Sequence, residues 1–281
     1  MTAIILYRKA DTSEEEVDAI NEFFPATFMR TAIPPRIGGE PEWLVIGRYS
    51  VLPYYQELER DLRIKEALLV NTYEQHQFVA DLGQWVEALG ELTPRTWHPG
   101  TFDTLPDDKA FILKGQTNSK KFLWSTHMFA ENKSVVREVF SRLLDDTLIG
   151  TQKIYVREYV PLVSYGWDIN GLPVTKEFRF FVFDGEVLCG GYYWANHIDC
   201  VKEVNNGELP SIEEVPKEFL SEVTKRLGNH IMFYVVDVAQ SVMGDWLVID
   251  VNDAQMSGLS DISPRALYLS LYNVLVKRSL M

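Results

Sequence analysis

Residues 233–255 read FYVVDVAQSVMGDWLVIDVNDAQ, two apolar runs joined by a short polar turn. Runs of this length around a Gly-bearing turn predict an antiparallel hairpin, 231–239 with 246–252. Side chains alternate along a strand, so Asp250 and Asn252 are expected on one face. With the turn centred on Met243-Gly244, Asp237 falls opposite Asp250, and opposed side chains have Cβ atoms roughly 4.5–5.5 Å apart. Two carboxylates that close repel unless a cation lies between them. Magnesium takes one or two carboxylates and completes its shell with water and phosphate oxygens, so Asp237, Asp250 and Asn252 form a candidate magnesium site. The alternative is a polar face open to water. Against it, Asp237 shares its strand face with Ile231, Phe233 and Val235, and Asp250 follows Trp246 and Val248, which predicts acids at the edge of a core.

Upstream, FILKGQTNSKKF (111–122) sets basic residues around a Gly, Thr, Asn and Ser turn. It is not a P-loop: Gly115 takes the first place, but Lys120 replaces the second glycine and Phe122 the magnesium-binding Ser or Thr. The expected arrangement is a strand (110–114), a loop and a second strand (121–124), with lysines able to fold over phosphates. A solvated hairpin tip with protective edge lysines is the competing reading. In KEFRFFVFDGEVLCGGYYW (176–194) the Asp184-Gly185 turn joins strands 177–183 and 186–194. Val182 stands where nucleotidyl-transferring ligases carry their covalent lysine, so no lysyl-nucleotide is expected. Arg179 lies mid-strand among Phe178, Phe180 and Phe181 and must find anions. Phosphate, or a carboxylate such as Glu177 or Glu186, would serve. IYVREYVPL (154–162) leads a strand (153–160) into Pro161, which frees backbone groups where the ladder stops.

The composition is ordinary for a globular chain of 281 residues, 46% hydrophobic and 24% charged. Forty acidic residues against 27 basic give a formal net charge of −13, so the general field repels nucleic acids and anionic membranes. Any polyanion needs a locally basic pocket. Cys189 and Cys200 are too few for a disulfide framework, the five histidines show no ligand spacing, and no stretch has membrane-spanning length. The start, MTAIILYRKAD, reads as a strand rather than a signal peptide, and a cytoplasmic setting is expected.

The first hundred residues alternate strand and helix. Strands are expected at Ile4–Arg8, 42–49 and 67–71. Helices are expected after Ser13, with Glu16 placed for a capping box, from Pro53 to about Lys65, and from Thr72 and Gln75 to near Gly90. This predicts a small α/β domain with a parallel sheet. Residues 91–101, ELTPRTWHPGT, look like a linker. Beyond it hairpins dominate, with helices at 134–144 (capped by Ser134), 216–227 and from Ser263-Pro264 onward. That is an α+β layout.

In order, a small α/β domain, TPRTW, Lys114 before a Gly/Ser loop, VREYVPL, an Arg-bearing hairpin and VIDVNDAQMSGL resemble the ATP-grasp superfamily. The likeness is to its clade named for one arginine and two lysines, and runs over roughly residues 90–265. The resemblance implies an α+β ATP-grasp fold of two lobes with largely antiparallel sheets, 93–160 and 161–281, preceded by a pre-ATP-grasp domain, 1–92. It implies ATP and magnesium as cofactors. Lys114 would reach the phosphates, and Lys120 or Lys121 would supply a second basic contact. Glu158, Tyr159 and Val160 would line adenine, with backbone groups of Glu158 and Val160 bonding it. Arg179, with Lys121, would stabilise charge on the transferring phosphoryl group. Asp237, Asp250 and Asn252 would hold magnesium. The family more often has Glu where Asp250 stands, and its ribose-binding acid has no clear match after the hinge, Asp168 being the candidate. The implied activity is an ATP-dependent carboxylate–amine or carboxylate–thiol ligase, acting on a carboxylate and a nucleophile that include peptides or proteins. A kinase without ligation and a non-catalytic acidic nucleotide-binding module are the alternatives.

Overall fold

The computed structural model describes residues 2–35 and 43–279. Strands β1 (Thr2–Tyr7), β2 (Ala26–Thr27), β3 (Trp43–Arg48) and β4 (Ala67–Leu69) form a parallel sheet in the order β2-β1-β3-β4. The short β2 was not expected. Glu42, the first residue of the expected second strand, lies outside the described residues. Helices α1 (Glu14–Phe23) and α2 (Tyr55–Ile64) connect these strands, burying Ala19 and Ile20, and Leu58 and Leu62. Ser13 caps α1 by accepting from the Glu16 amide, but the Glu16 carboxylate does not close a capping box. It accepts instead from buried Arg48 and Tyr268.

The helix expected from Thr72 to Gly90 is two helices, α3 (Tyr73–Ala80) and α4 (Leu82–Leu89). Thr72 and Gln75 do form the expected capping box. The break falls at Asp81, whose backbone is extended and whose carboxylate accepts from the Gly83 amide, Tyr155 Oη (2.7 Å) and Lys153 Nζ (2.9 Å). The Leu82 and Gly83 amides exchange their helical acceptors for the Gln116 carbonyl and the Asp81 carboxylate, and Tyr155 and Lys153 add two further partners that a continuous helix lacks.

The expected linker contains a strand, β5 (Thr96–Trp97), which joins β6 (Phe111–Gly115), β7 (Phe129–Ala130) and β8 (Ile154–Glu158) in an antiparallel sheet ordered β5-β8-β6-β7. Helix α5 (Lys133–Leu144) closes its core through Val136, Val139 and Leu143, and its cap is Asn132 rather than Ser134. Residues 121–128 are helical turns, not the second strand of a hairpin, so β6 pairs with β7 and β8.

Strands β9 (Ser164–Trp167) and β10 (Pro173–Thr175) make a short ribbon. Then β11 (Glu177–Phe183), β12 (Glu186–Tyr192), β13 (Phe233–Gln240) and β14 (Trp246–Asp253) form the main antiparallel sheet, ordered β12-β11-β13-β14. Asp184 and Gly185 both take positive φ, 46° and 79°, as a two-residue hairpin turn requires. Between β12 and β13 lie α6 (Ile198–Val204), not foreseen, and α7 (Lys217–Leu227). The chain ends in α8 (Pro264–Ser279).

The alternation of β11 and β13 sorts their apolar side chains onto two faces. Phe178, Phe180, Val236 and Val238 pack with α4 and α7, while Phe181, Phe183, Phe233 and Val235 pack with α8 and α1. The second face is apolar over half its length only. Toward the other end of the same face come Glu177, Arg179 and Asp237, which are buried and polar. No helix among the described residues is long and apolar enough to cross a membrane.

Candidate nucleotide site

A cavity lies between the main sheet and the β5–β8 sheet. From one side it is lined by Ile112 and Lys114 of β6 and by residues 157–160; from the other by Glu177, Ile249 and Asp250. The hairpin register is the expected one, Asp237 opposite Asp250, but it is reached by an irregularity. Val238 pairs with Val248 and Asp237 with Asp250, so Ile249 is an extra residue, a bulge. Val248 and Val251 both join the cluster on the far face, and Asp250 is turned from their face toward the cavity. Asp250 therefore does not share a face with Val248 as simple alternation predicts.

The repulsion expected between the two carboxylates is relieved by the chain itself. Arg179 clamps Asp237 with Nε to Oδ1 and Nη2 to Oδ2, both 2.8 Å, and gives its third nitrogen to the Gly258 carbonyl. The anion that Arg179 meets is thus Asp237, its neighbour in the ladder, not Glu177 or Glu186. Lys114 Nζ lies 3.0 Å from Asp250 Oδ1. Burial pulls the Lys114 ammonium below its usual range, and Asp250 offsets this only in part. For Asp250, burial acts upward, but Lys114, Lys121 and Arg157 together hold the carboxyl below the ordinary range.

The two further lysines part company. Lys121 lines the cavity, donates to Tyr193 Oη at 2.7 Å and lies over the Tyr193 and Trp194 rings. Burial disfavours its charge, yet Glu177, Tyr193 and Asp237 raise it above the usual lysine value. Lys120 points elsewhere, to Asp146 at 2.6 Å. In the loop between them and β6, the Thr117 and Asn118 amides face Gln152 Oε1 at 3.0 and 3.4 Å, so these donors are not turned to the cavity. Gly115 packs tightly there: a Cβ would sit 2.6 Å from that same oxygen, so Gln152 would have to move.

Glu158, Tyr159 and Val160 line the cavity as expected. The Glu158 and Tyr159 amides donate to the Arg95 and Ala110 carbonyls, whereas the Val160 amide donates to no backbone carbonyl among the described residues. Asp168, the ribose candidate, pairs with His197 at 3.3 Å.

A magnesium ion would need hard oxygen donors with open coordination. Asp250 has one oxygen engaged by Lys114 and lines the cavity, and Asn252 follows it, opposite Val235. These fit an ion that shares its shell with phosphate and water. Both oxygens of Asp237 are held by Arg179, and no group of three or more His, Cys, Asp or Glu among the described residues is arranged to hold a metal alone.

Two ionisable residues of the cavity were not assigned to the site from the sequence. Glu177 is buried with Oε1 unpartnered, and burial, with Asp237 adding and Lys121 opposing, raises its carboxyl to about 6. Arg157 is buried in β8 among apolar neighbours. The signal that singled out Arg179, a cation inside an apolar strand, was equally present at Arg157.

The family model for the ATP-grasp domain of the one-arginine, two-lysine clade, family 3, matches residues 95–271. No curated protein matches the chain. Solved structures match over nearly its whole length. A RimK domain ATP-grasp protein from Sphaerobacter thermophilus has TM-score 0.56 and 14% identity, covering 98% of this chain and 100% of that one. The ATP-grasp ligase PsnB complexed with precursor peptide PsnA2 and AMPPNP has TM-score 0.58 and 11% identity, covering 99% and 97%. D-alanine–D-alanine ligase from Bacillus anthracis, complexed with ATP, has TM-score 0.52 and 12% identity, covering 100% and 99%.

Proposed function

The chain belongs to the ATP-grasp superfamily, in family 3 of the one-arginine, two-lysine clade, and from that premise we propose that it is an ATP-dependent ligase. In this reading a carboxylate is activated as an acyl phosphate and then captured by an amine or similar nucleophile. The observation that carries it is one cavity lined both by the strand end Glu158–Val160 and by two lysines, Lys114 and Lys121, with Asp250.

The Val160 amide and the Glu158 carbonyl take the adenine edge. Lys114 and Lys121 bind phosphate oxygens, each leaving a present partner, Asp250 or Tyr193. Asp250 and Asn252, with Asp237 opposite Asp250 in the ladder, would hold magnesium, which would supply charge neutralisation for the phosphates. Arg179 is fixed by its Asp237 clamp, so any electrostatic help it gives to the transferring phosphoryl group is preorganised. A carboxylate oxygen of the substrate attacks the γ-phosphorus and ADP leaves. The nucleophile then attacks the acyl carbon, inorganic phosphate leaves, and the nucleophile's proton passes to a base or solvent. PsnB is an ATP-grasp ligase whose structure is complexed with a precursor peptide, and a peptide or protein acceptor is our preferred substrate class.

The test is an incubation with ATP, magnesium and a peptide-enriched extract, read by mass spectrometry and ADP release. The reading expects an acceptor altered only with ATP, and loss of turnover in Arg179→Lys. ADP release with a stably phosphorylated product would identify a kinase instead. Tight nucleotide binding with no turnover over broad acceptor pools would leave a binding module.

A further inference from the structure

The bulge at Ile249 turns Asp250 to the cavity, and β14 is the edge strand of its sheet, so carbonyls around the bulge that face away from β13 need partners outside the ladder. Those carbonyls are taken by two residues from outside the main sheet. Thr93, just before β5, donates from Oγ1 to the Val248 carbonyl at 2.8 Å. Arg157 of β8 donates from Nη1 to the Ile249 carbonyl at 2.7 Å and from Nη2 to Thr93 Oγ1 at 2.7 Å. The guanidinium lies over the Trp85 ring at 5.3 Å, and Nε is buried without a partner. Arg157 immediately precedes Glu158, the start of the adenine edge.

We infer that Arg157 and Thr93 are positioning residues that staple this bulge and so couple the nucleotide-base strand to the acid that receives magnesium. Without the staple, the Val248 and Ile249 carbonyls lose their partners, and the regular register, which turns Asp250 away, becomes competitive. A base seated on residues 158–160 holds β8 and, through Arg157, holds Asp250 in place. Magnesium and nucleotide then strengthen each other's binding, as linkage requires of coupled sites. The inference rests on the nucleotide reading above and adds a route of coupling to it.

The test uses ADP as probe, titrated calorimetrically with magnesium and with chelator, in the full chain and in Thr93→Val, Thr93→Ser and Arg157→Lys. The quantity read is the ratio of the two affinities. In the parent, magnesium is expected to tighten ADP binding. Thr93→Val should cut that ratio about tenfold while metal-free ADP binding holds within error; Thr93→Ser should restore it. Arg157→Lys, with one donor group in place of a fork, should likewise lower the ratio. An unchanged ratio in Thr93→Val and Arg157→Lys overturns the staple, as does an equal fall in both affinities, which would make the residues plain wall. A parent chain that binds no ADP under either condition overturns the nucleotide reading and the staple with it.

Discussion

Arg179 and Asp237 show how a single pair can serve both folding and chemistry. Asp237 is 1% exposed, and its two oxygens are met by the same guanidinium. Truncating one partner of a buried pair typically costs about 3–5 kcal/mol, because the other charge is left uncompensated. Arg179→Met should therefore lose about that much stability in urea unfolding, and Arg179→Met with Asp237→Asn should recover a large part. If the double variant is no more stable than the single, the pair is not the source of the loss. Glu177 makes a separate prediction. Its carboxyl is raised to about 6 from an ordinary 4.5, so the native state holds its proton over a pH range where the unfolded chain has released it. Its contribution to stability is greatest below that range and falls as pH rises through it, by about 2 kcal/mol in full. Glu177→Gln should flatten the pH dependence of unfolding between those values; an identical slope in the variant contradicts the assignment. Residue types and positions were well legible here. A lone arginine in a phenylalanine-rich strand announced an anion, but the sequence could not say which. That depended on strand register, since Asp237 becomes its partner only when β11 and β13 are laid side by side.

At the scale of elements, local signals worked where local physics decides. Thr72 and Gln75 marked a helix start, and Asp184-Gly185 a hairpin turn, because both rest on bonds within a few residues. They failed where a distant partner intervened. The α3–α4 break at Asp81 answers to Tyr155 and Lys153, over seventy residues on, and the Ile249 bulge answers to Thr93 and Arg157. Lys121 and Phe122 read as strand and are helical turn, because β6 already has β7 and β8 as neighbours. Asp81→Ala removes a helix cap and two side-chain partners together. It should cost about 2 kcal/mol in urea unfolding. A loss below half that value would mean the continuous helix can re-form, and the break is then not imposed by Asp81.

Across the whole molecule, the described part of the first 90 residues and the last helix are joined by contacts. Glu16 of α1 accepts from Arg48 of β3 and Tyr268 of α8, while Arg48 donates to the Ala254 and Ser257 carbonyls next to β14. Arg48 is fully buried, and removing its only carboxylate partner among the described residues should cost about 3–5 kcal/mol. Glu16→Leu is expected to unfold at correspondingly lower urea in one cooperative transition. An early separate transition confined to the N-terminal region would contradict that unity. The parallel sheet was readable from the alternation of strand and helix, but its attachment to the chain's other end was not, since no periodicity encodes a contact between residues 16 and 268. The central claim, that magnesium-ATP is held between the two antiparallel sheets, is tested most directly by calorimetric titration of magnesium-ATP into the parent chain and Asp250→Ala. Saturable binding by the parent and at least tenfold weaker binding by the variant are expected; no binding by the parent, or equal binding by both, would contradict the claim.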